Sequence, residues 1–315
     1  MPHKKVLVVH YSQSGQLDNA IKHCIAPLAD DKDISVTDLN LKPSEPFPFP
    51  WNLLDFLSVF PESVYCDKIP LEPFGIDKNE KFDLVILAYQ VWFLSPSLPM
   101  SGFLQSAEVK EWLNDKPVIT FIACRNMWLT AQEKMKVLIA KNGGILCDNV
   151  ALVDGGNAFE TFITTPRWML TGKKDAFWFF KEAGVSKSDI KNSARFGKAV
   201  KDALKEGKEK SKEPLLKGLG AVNVNEKLIM SERIGHRSFL IWGKLLKKLG
   251  KPKSALRRFF LRVYLVFLVL MIVTVVPFSL LLRLLFYPLM IKKLRKQKAY
   301  YEEPSGSENY KEKNE

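Results

Sequence analysis

K-V-L-V-V-H-Y-S-Q-S-G-Q-L, from Lys5 to Leu17, is the stretch that decides the fold. Its first half is apolar and rich in valine, with no polar alternation, as in a strand covered on both faces of a parallel sheet. Ser12 to Gly15 break the run with a turn, and Leu17 to Leu28 have the spacing of an amphipathic helix. The rhythm repeats outward, with strands expected at Ile34 to Leu41, Asp83 to Tyr89, Pro117 to Ala123 and Gly144 to Leu152, and helices at 101–114, 130–142 and 186–206. Five apolar strands alternating with helices predict an α/β fold, a doubly wound five-stranded parallel sheet that binds ligands at the carboxyl ends of its strands.

The chain has 315 residues, enough for one such domain of about 200 residues and an extension. Its 47% hydrophobic and 26% charged content excludes collagen, low-complexity polymer and wholesale disorder. Cys24, Cys66, Cys124 and Cys147 stand far apart without a C-x-x-C, which predicts neither a disulfide framework nor a metal site. With a start that lacks a small-residue cleavage site, this fits a reducing cytoplasm. Two aromatic insertions interrupt the rhythm, at 47–64 and 159–180, and read either as extra core packing or as a greasy lid over a hydrophobic substrate. The charged run Glu206 to Glu213 reads as a linker, so the domain is expected to span 1–206.

Charge is divided unevenly along the chain. Residues 1–150 hold 14 Lys/Arg against 18 Asp/Glu, whereas 151–315 hold 33 against 16. From Arg233 to Lys298 there are sixteen basic residues and no acid, enclosing the most apolar run of the protein. Basic flanks around a segment that seeks hydrocarbon suit an anionic lipid bilayer and not nucleic acid. Within 207–258, Ser238 to Leu249 reads as a basic amphipathic helix, either lying in a membrane interface or docked on the core. Residues 259–291 are the expected membrane segment, because Val263 to Leu282 is uncharged and long enough to span hydrocarbon. Pro277 and the cations on both sides favour a bent, monotopic helix at the cytoplasmic face of the inner membrane over a single span, with a buried core helix as the third reading. Residues 292–315 form a basic stretch and then a polar tail, expected to be disordered from Glu302.

Three loops could carry chemistry. Ser12, Ser14, Gly15, Gln16 and Leu17 combine hydroxyls, a glycine turn and free helix N–H groups, a cradle for a monophosphate; the bland alternative is a Ser/Gly loop capping a helix. Neither G-x-G-x-x-G nor G-x-x-x-x-G-K-[ST] is present, so dinucleotide and nucleoside-triphosphate sites lose their main support. After the third strand, Gln90-Val91-Trp92-Phe93 places aromatic rings where a planar group could stack, and Pro96 and Pro99 stiffen the turn that follows. After the fourth come Cys124, Arg125 and Asn126. Cys124 reads as a packed strand-end residue or, alternatively, a nucleophile, and Tyr11, Tyr89 and Arg125 are candidates to steady an oxyanion.

Together these loops resemble those of the flavodoxin-like superfamily over residues 1–206, including Phe196-Gly197-Lys198-Ala199-Val200 at the family's last helix. The resemblance implies strand order 2-1-3-4-5 and FMN, with its phosphate on Ser12, Ser14, Gly15, Gln16 and Leu17. Its ring would lie near Gln90, Val91, Trp92, Phe93, Cys124, Arg125 and Asn126. Leu17 departs from the threonine of many relatives and implies a weaker phosphate site. More narrowly, Y-S-Q-S-G-Q-L, F-P-F-P-W and W-F-L-S-P-S-L-P resemble the bacterial proteins called dialkylresorcinol condensing enzymes of aryl-polyene and flexirubin pathways. Ketosynthase condensation needs a cysteine with histidine or asparagine partners on another fold, and the only histidines here are His3, His10, His23 and His236. The resemblance therefore implies a membrane-associated flavin oxidoreductase that aromatises a dialkylcyclohexanedione, with pathway enzymes or a reductase as partners. A tethered electron carrier and a flavin-free scaffold are the alternatives.

Overall fold

In the computed structural model, residues 3–274 and 290–306 are described. Strands β1 (Lys4–His10), β2 (Ile34–Asn40), β3 (Leu84–Tyr89), β6 (Pro117–Cys124) and β7 (Ile145–Val153) form one parallel sheet in the order β2-β1-β3-β6-β7. Set aside the two-residue ribbon of β4 (Val91–Trp92) and β5 (Ser95–Pro96), and this is the order 2-1-3-4-5 expected of a flavodoxin-like sheet. Every residue of the central β3 is buried, while edge strand β2 is mostly half-exposed, which is why the central strands alone read as unbroken apolar runs.

The order reverses at β1, since the chain moves to one side for β2 and to the other for β3, β6 and β7. Right-handed crossovers therefore place α1 (Gln16–Ala29) on one face and α4 (Leu98–Phe103), α5 (Val109–Leu113) and α6 (Leu129–Lys141) on the other. Helices α8 (Lys187–Asn192) and α9 (Ala194–Glu206) return to α1, where the Ser193 hydroxyl donates to the Ala20 carbonyl at 3.2 Å. Gly197 lets α9 touch α1, because a Cβ there would lie 1.7 Å from the Cys24 carbonyl oxygen.

Several expectations change in the structure. The helix expected over 101–114 is two short helices, and the Ser106 hydroxyl donates to the Gly102 carbonyl (2.9 Å) in the gap between them. The helix expected over 186–206 breaks at Ser193, whose hydroxyl also donates to the Ile190 carbonyl. The run 206–213 is mostly exposed but pinned at one point, where Lys4 and Glu209 form a buried ion pair at 2.5 Å, and beyond it the amides of Leu215 and Leu216 donate to Asp148. The tail is ordered through Gly306, with the Ser305 hydroxyl donating to Asp148 at 2.8 Å; 307–315 lie outside the described residues.

Insertion 47–64 contains α2 (Leu53–Ser58) and α3 (Phe60–Tyr65), and insertion 159–180 begins with α7 (Ala158–Thr171). Helix α10 (Glu226–Lys248) docks on α3 through Phe239 against Phe60 and through the Tyr65 hydroxyl donating to the Leu240 carbonyl (2.9 Å). Helix α11 (Ala255–Val273) docks on α2 and α3, with Arg257 paired to Glu62 and Tyr264 stacked on Phe60 at 4.9 Å. Of the expected membrane segment 259–291, the part 275–289 lies outside the described residues, and no described helix is long and apolar enough to cross a membrane.

The close approach of α9 to α1 generates a stability prediction. Gly197→Ala should lower unfolding stability by about 3 kcal/mol, because backbone rather than a flexible side chain must yield. Its urea midpoint should shift down at an unchanged slope, and an unshifted midpoint contradicts this packing.

Candidate functional site

Turns after β1, β3 and β6 converge at the carboxyl edge of the sheet. The first is set by Gly15, at φ 77° in the left-handed region, as the N-cap of α1. Leu17 is buried in the core and contributes only its backbone here. Ser12 Oγ is buried and has no partner among the described residues. Gln16 is committed elsewhere: Val185 N–H donates to its Oε1 at 3.0 Å, and its Nε2 donates to the Val185 carbonyl at 3.3 Å. Only its main chain remains for a ligand.

Two glutamines clasp the loops together. Gln13 N–H donates to Gln90 Oε1 (3.1 Å), and Gln13 Nε2 donates to the Pro48 carbonyl (2.8 Å). Trp92 is thereby enclosed by Tyr11, Phe47 and Trp51, all edge-on, at ring distances of 6.0, 5.1 and 6.1 Å. Phe93 does not join it. With φ 49° it turns away and stacks on Phe56 at 4.7 Å, while Val91 pairs with Pro96 in the ribbon.

The third loop carries Cys124, Arg125 and Asn126, all half-buried. Burial and the nearby Glu232 and Asp154 push the Cys124 thiol up, so it is protonated at neutral pH and is no nucleophile there. Arg125 Nε donates to Thr161 Oγ1 at 2.8 Å, and its guanidinium stacks 4.1 Å over Phe162. Burial lowers its pKa to about 10, which leaves it cationic at neutral pH. Tyr89 is excluded as an oxyanion donor, because it is fully buried and its hydroxyl donates to Gln132 Oε1 at 2.8 Å. Tyr11 is 8% exposed, and burial with the nearby Asp18 raises it to about 12.

Three contributors escape a local reading of sequence. Helix α6 makes no side-chain cap of its own, and Glu232 of α10 accepts from the Thr130 N–H at its start. Asp154 accepts from the Gly184 N–H at 2.7 Å, fixing the loop that holds Gln16; Asp154-Gly155-Gly156 was the available turn signal. His10 sits beneath the first loop, with Nδ1 2.7 Å from Asp18 and Nε2 2.9 Å from Asp38.

These residues fit a phosphate monoester at one end of the site. Ser12 Oγ is a buried hydroxyl with no partner among the described residues, and a Cβ at Gly15 would meet nothing within 4 Å. At the other end the rings of Tyr11, Trp51 and Trp92 are buried, Tyr11 and Trp51 each edge-on to Trp92, and half-buried Phe47 covers Trp92. Two surface cavities, beside Pro27 and beside Ile34, lie away from this edge. No cluster suited to a metal ion occurs among the described residues.

No family model matches the chain, and no curated protein matches it. Among solved structures, it is similar to a flavoprotein in complex with FMN from Lactobacillus acidophilus, at 18% identity and TM-score 0.36, covering 47% of this chain and 93% of that one. It is also similar to a flavodoxin from the domain Archaea (12%, TM-score 0.35, 64% and 99%). An oxidoreductase from Corynebacterium diphtheriae is similar at 12%, with TM-score 0.34 and coverage of 65% and 99%. At TM-scores below 0.5 these likenesses are loose, and the fold is stated from the strand order of the chain itself.

His10 makes stability depend on pH. Burial alone would lower its pKa, but Asp18 and Asp38 outweigh that and raise it from 6.5 to about 9. The folded value exceeds the unfolded one, so this contribution is complete below about pH 6.5 and is lost as pH rises through about 9. Unfolding free energy should fall by on the order of 2 kcal/mol across that window. His10→Gln should be less stable at pH 6 and lack the slope; an unchanged slope would show that His10 is not the titrating group.

Proposed function

We propose that the chain is a membrane-associated, FMN-dependent oxidoreductase acting on a lipid-like substrate. The observation that carries the reading is the buried Ser12 hydroxyl, without a partner among the described residues, in the loop that leads into α1 and near the aromatic cluster around Trp92. Ser12, Ser14 and the amides of Gln16 and Leu17 would hold the phosphate, with Trp92, Val91 and Asn126 beside the ring. When bound, FMN supplies a two-electron acceptor for a hydride. Arg125, cationic at neutral pH, would steady an oxyanion at this edge.

The substrate class follows from the exposed apolar surface and the sequence resemblance to dialkylresorcinol proteins. A 2,5-dialkylcyclohexane-1,3-dione that loses a hydride to the cofactor and a proton to solvent becomes the aromatic dialkylresorcinol. Hydrocarbon chains make such molecules poorly soluble, which suits an enzyme held at a bilayer.

The membrane reading rests on α11. Leu256, Phe259, Val263, Val266, Leu270 and Val273 recur every three or four residues and are 40–66% exposed, on the side opposite buried Arg257, Leu261 and Tyr264. Basic residues around this face add about 1 kcal/mol each towards the anionic lipid of a cytoplasmic leaflet. Both sides of 275–289 are attached to one body. Arg257 ties α11 to Glu62, while Tyr300 donates to Glu133 (3.0 Å) and Ser305 to Asp148. A chain that enters and leaves the bilayer on the same face satisfies these contacts, which supports the monotopic form over the single span.

Anaerobic mixing of the FMN-loaded protein with the dione should bleach the flavin absorption and yield the resorcinol. Bleaching by a reductase alone would establish the electron carrier, and a chain that never takes up flavin would establish the scaffold. For topology, Lys251→Cys and Ala299→Cys variants should both be shielded from an impermeant maleimide in intact cells. Labelling of position 299 alone would overturn the monotopic arrangement.

A further inference from the structure

We infer that the turn Phe177–Phe180 is a second bilayer contact, which sets Trp178 and Phe179 into the boundary between anionic headgroups and acyl chains. This rests on the membrane reading of α11 but uses a different part of the chain. The turn is closed from both sides, Phe177 N–H donating to the Phe180 carbonyl at 3.2 Å and Phe180 N–H to the Phe177 carbonyl at 2.9 Å. Trp178 occupies its left-handed position at φ 50°, and the two tip residues are 89% and 76% exposed. Few large aromatic side chains stand so far into solvent without a use.

The base of the turn is rigid, so the exposure is built in. Arg167 donates to the carbonyls of Lys173 (3.2 Å) and Asp175 (2.8 Å), pairs with the Asp175 carboxylate at 3.0 Å, and stacks 4.3 Å from the Phe177 ring centre. Phe180 is buried, and Ala183 N–H donates back to the Lys174 carbonyl at 2.8 Å. A scaffold that buries Phe180 and presents its neighbours outward separates a packed ring from two rings meant for something outside the protein.

Charge identifies the occupant as anionic lipid. Between 167 and 187 stand Arg167, Lys173, Lys174, Lys181 and Lys187 against Asp175 and Glu182. Asp175 is paired with Arg167, with Lys173 nearby, and Glu182 is met by Lys174 at 3.0 Å and Lys187 at 3.9 Å, so cations outnumber acids beside the aromatic tip and exposed Lys181 has no ion-pair partner among the described residues. Tryptophan with lysine at its flanks is the composition of a membrane interface. Position agrees: α7, which leads into the turn, abuts the start of the aromatic insertion, with Trp51 N–H donating to the Met169 carbonyl (2.8 Å) and Phe49 edge-on to Trp168. Helix α11 packs against the far end of that insertion. Two bilayer contacts would flank the aromatic wall of the candidate site and hold its mouth at the lipid surface.

The full chain, bound to vesicles of phosphatidylcholine and phosphatidylglycerol, is compared with Trp178→Tyr. The emission lost in the variant belongs to Trp178; it should be blue-shifted on the vesicles and quenched by lipids brominated on their acyl chains. Trp178→Ser with Phe179→Ser should also weaken vesicle binding by about tenfold. Co-sedimentation of the same samples separates the outcomes. Protein that sediments while the Trp178 signal stays water-like and open to iodide overturns the second contact and leaves the α11 reading standing. Protein that does not sediment overturns both, and a signal shielded from iodide and brominated lipid alike would place the turn against another copy of the chain.

Discussion

The seating of the apolar helix α11 turns on one buried ion pair, between Arg257 and Glu62. Arg257 is 1% exposed, and a guanidinium taken out of water costs several kcal/mol unless it is paired; both terminal nitrogens are, while Nε has no partner among the described residues. Glu62 meets it with both oxygens, and the Ser58 carbonyl accepts a further N–H at 2.9 Å. Only one seating of α11 on α2 and α3 satisfies that set. Tyr264, two turns along, then falls on the Phe60 ring, and the other side of α11 has no partner among the described residues. The exposed stripe is thus a consequence of the pair, and no loose end of the fold.

The same seating fixes the aromatic insertion between two masses. At its far end, α2 and α3 are held by α10 and α11. At its near end, Phe47 and Trp51 close over Trp92, with Gln13 gripping the Pro48 carbonyl. A displacement of α11 therefore has a short mechanical route to the ring that covers Trp92. Glu232 provides a second route, since it belongs to α10 yet holds the start of α6 immediately after the third loop. The C-terminal third of the chain is part of the site's construction.

The sheet was legible because its strands are buried on both faces and need no partner to declare themselves. Each expected strand fell within one residue of its place at either end, and the strand order followed the family resemblance. Within the charged run 206–213, the burial of Glu209 is not legible locally, because it pairs with Lys4, more than two hundred residues away. Ser305 hid in a polar tail for the same reason, its partner being Asp148. At the site, Trp92 and Phe93 look equivalent in sequence, yet Phe93, with its left-handed backbone, stacks on Phe56 while Trp92 packs among Tyr11, Phe47 and Trp51. Tyr89 sits at a strand end that suggested reach, but Gln132 takes its hydroxyl. Such choices depend on contacts between distant segments, which local spacing does not encode.

Hydrogen exchange of the full chain with and without FMN tests the central claim most directly. A flavin seated at this edge should slow exchange at the amides of Ser14 to Leu17 and around Trp92 and Asn126, while Lys4 to Val9, already locked in the sheet, stay unchanged. An FMN that leaves those loops as fast as before, or protects only the region beside Pro27, would contradict the account.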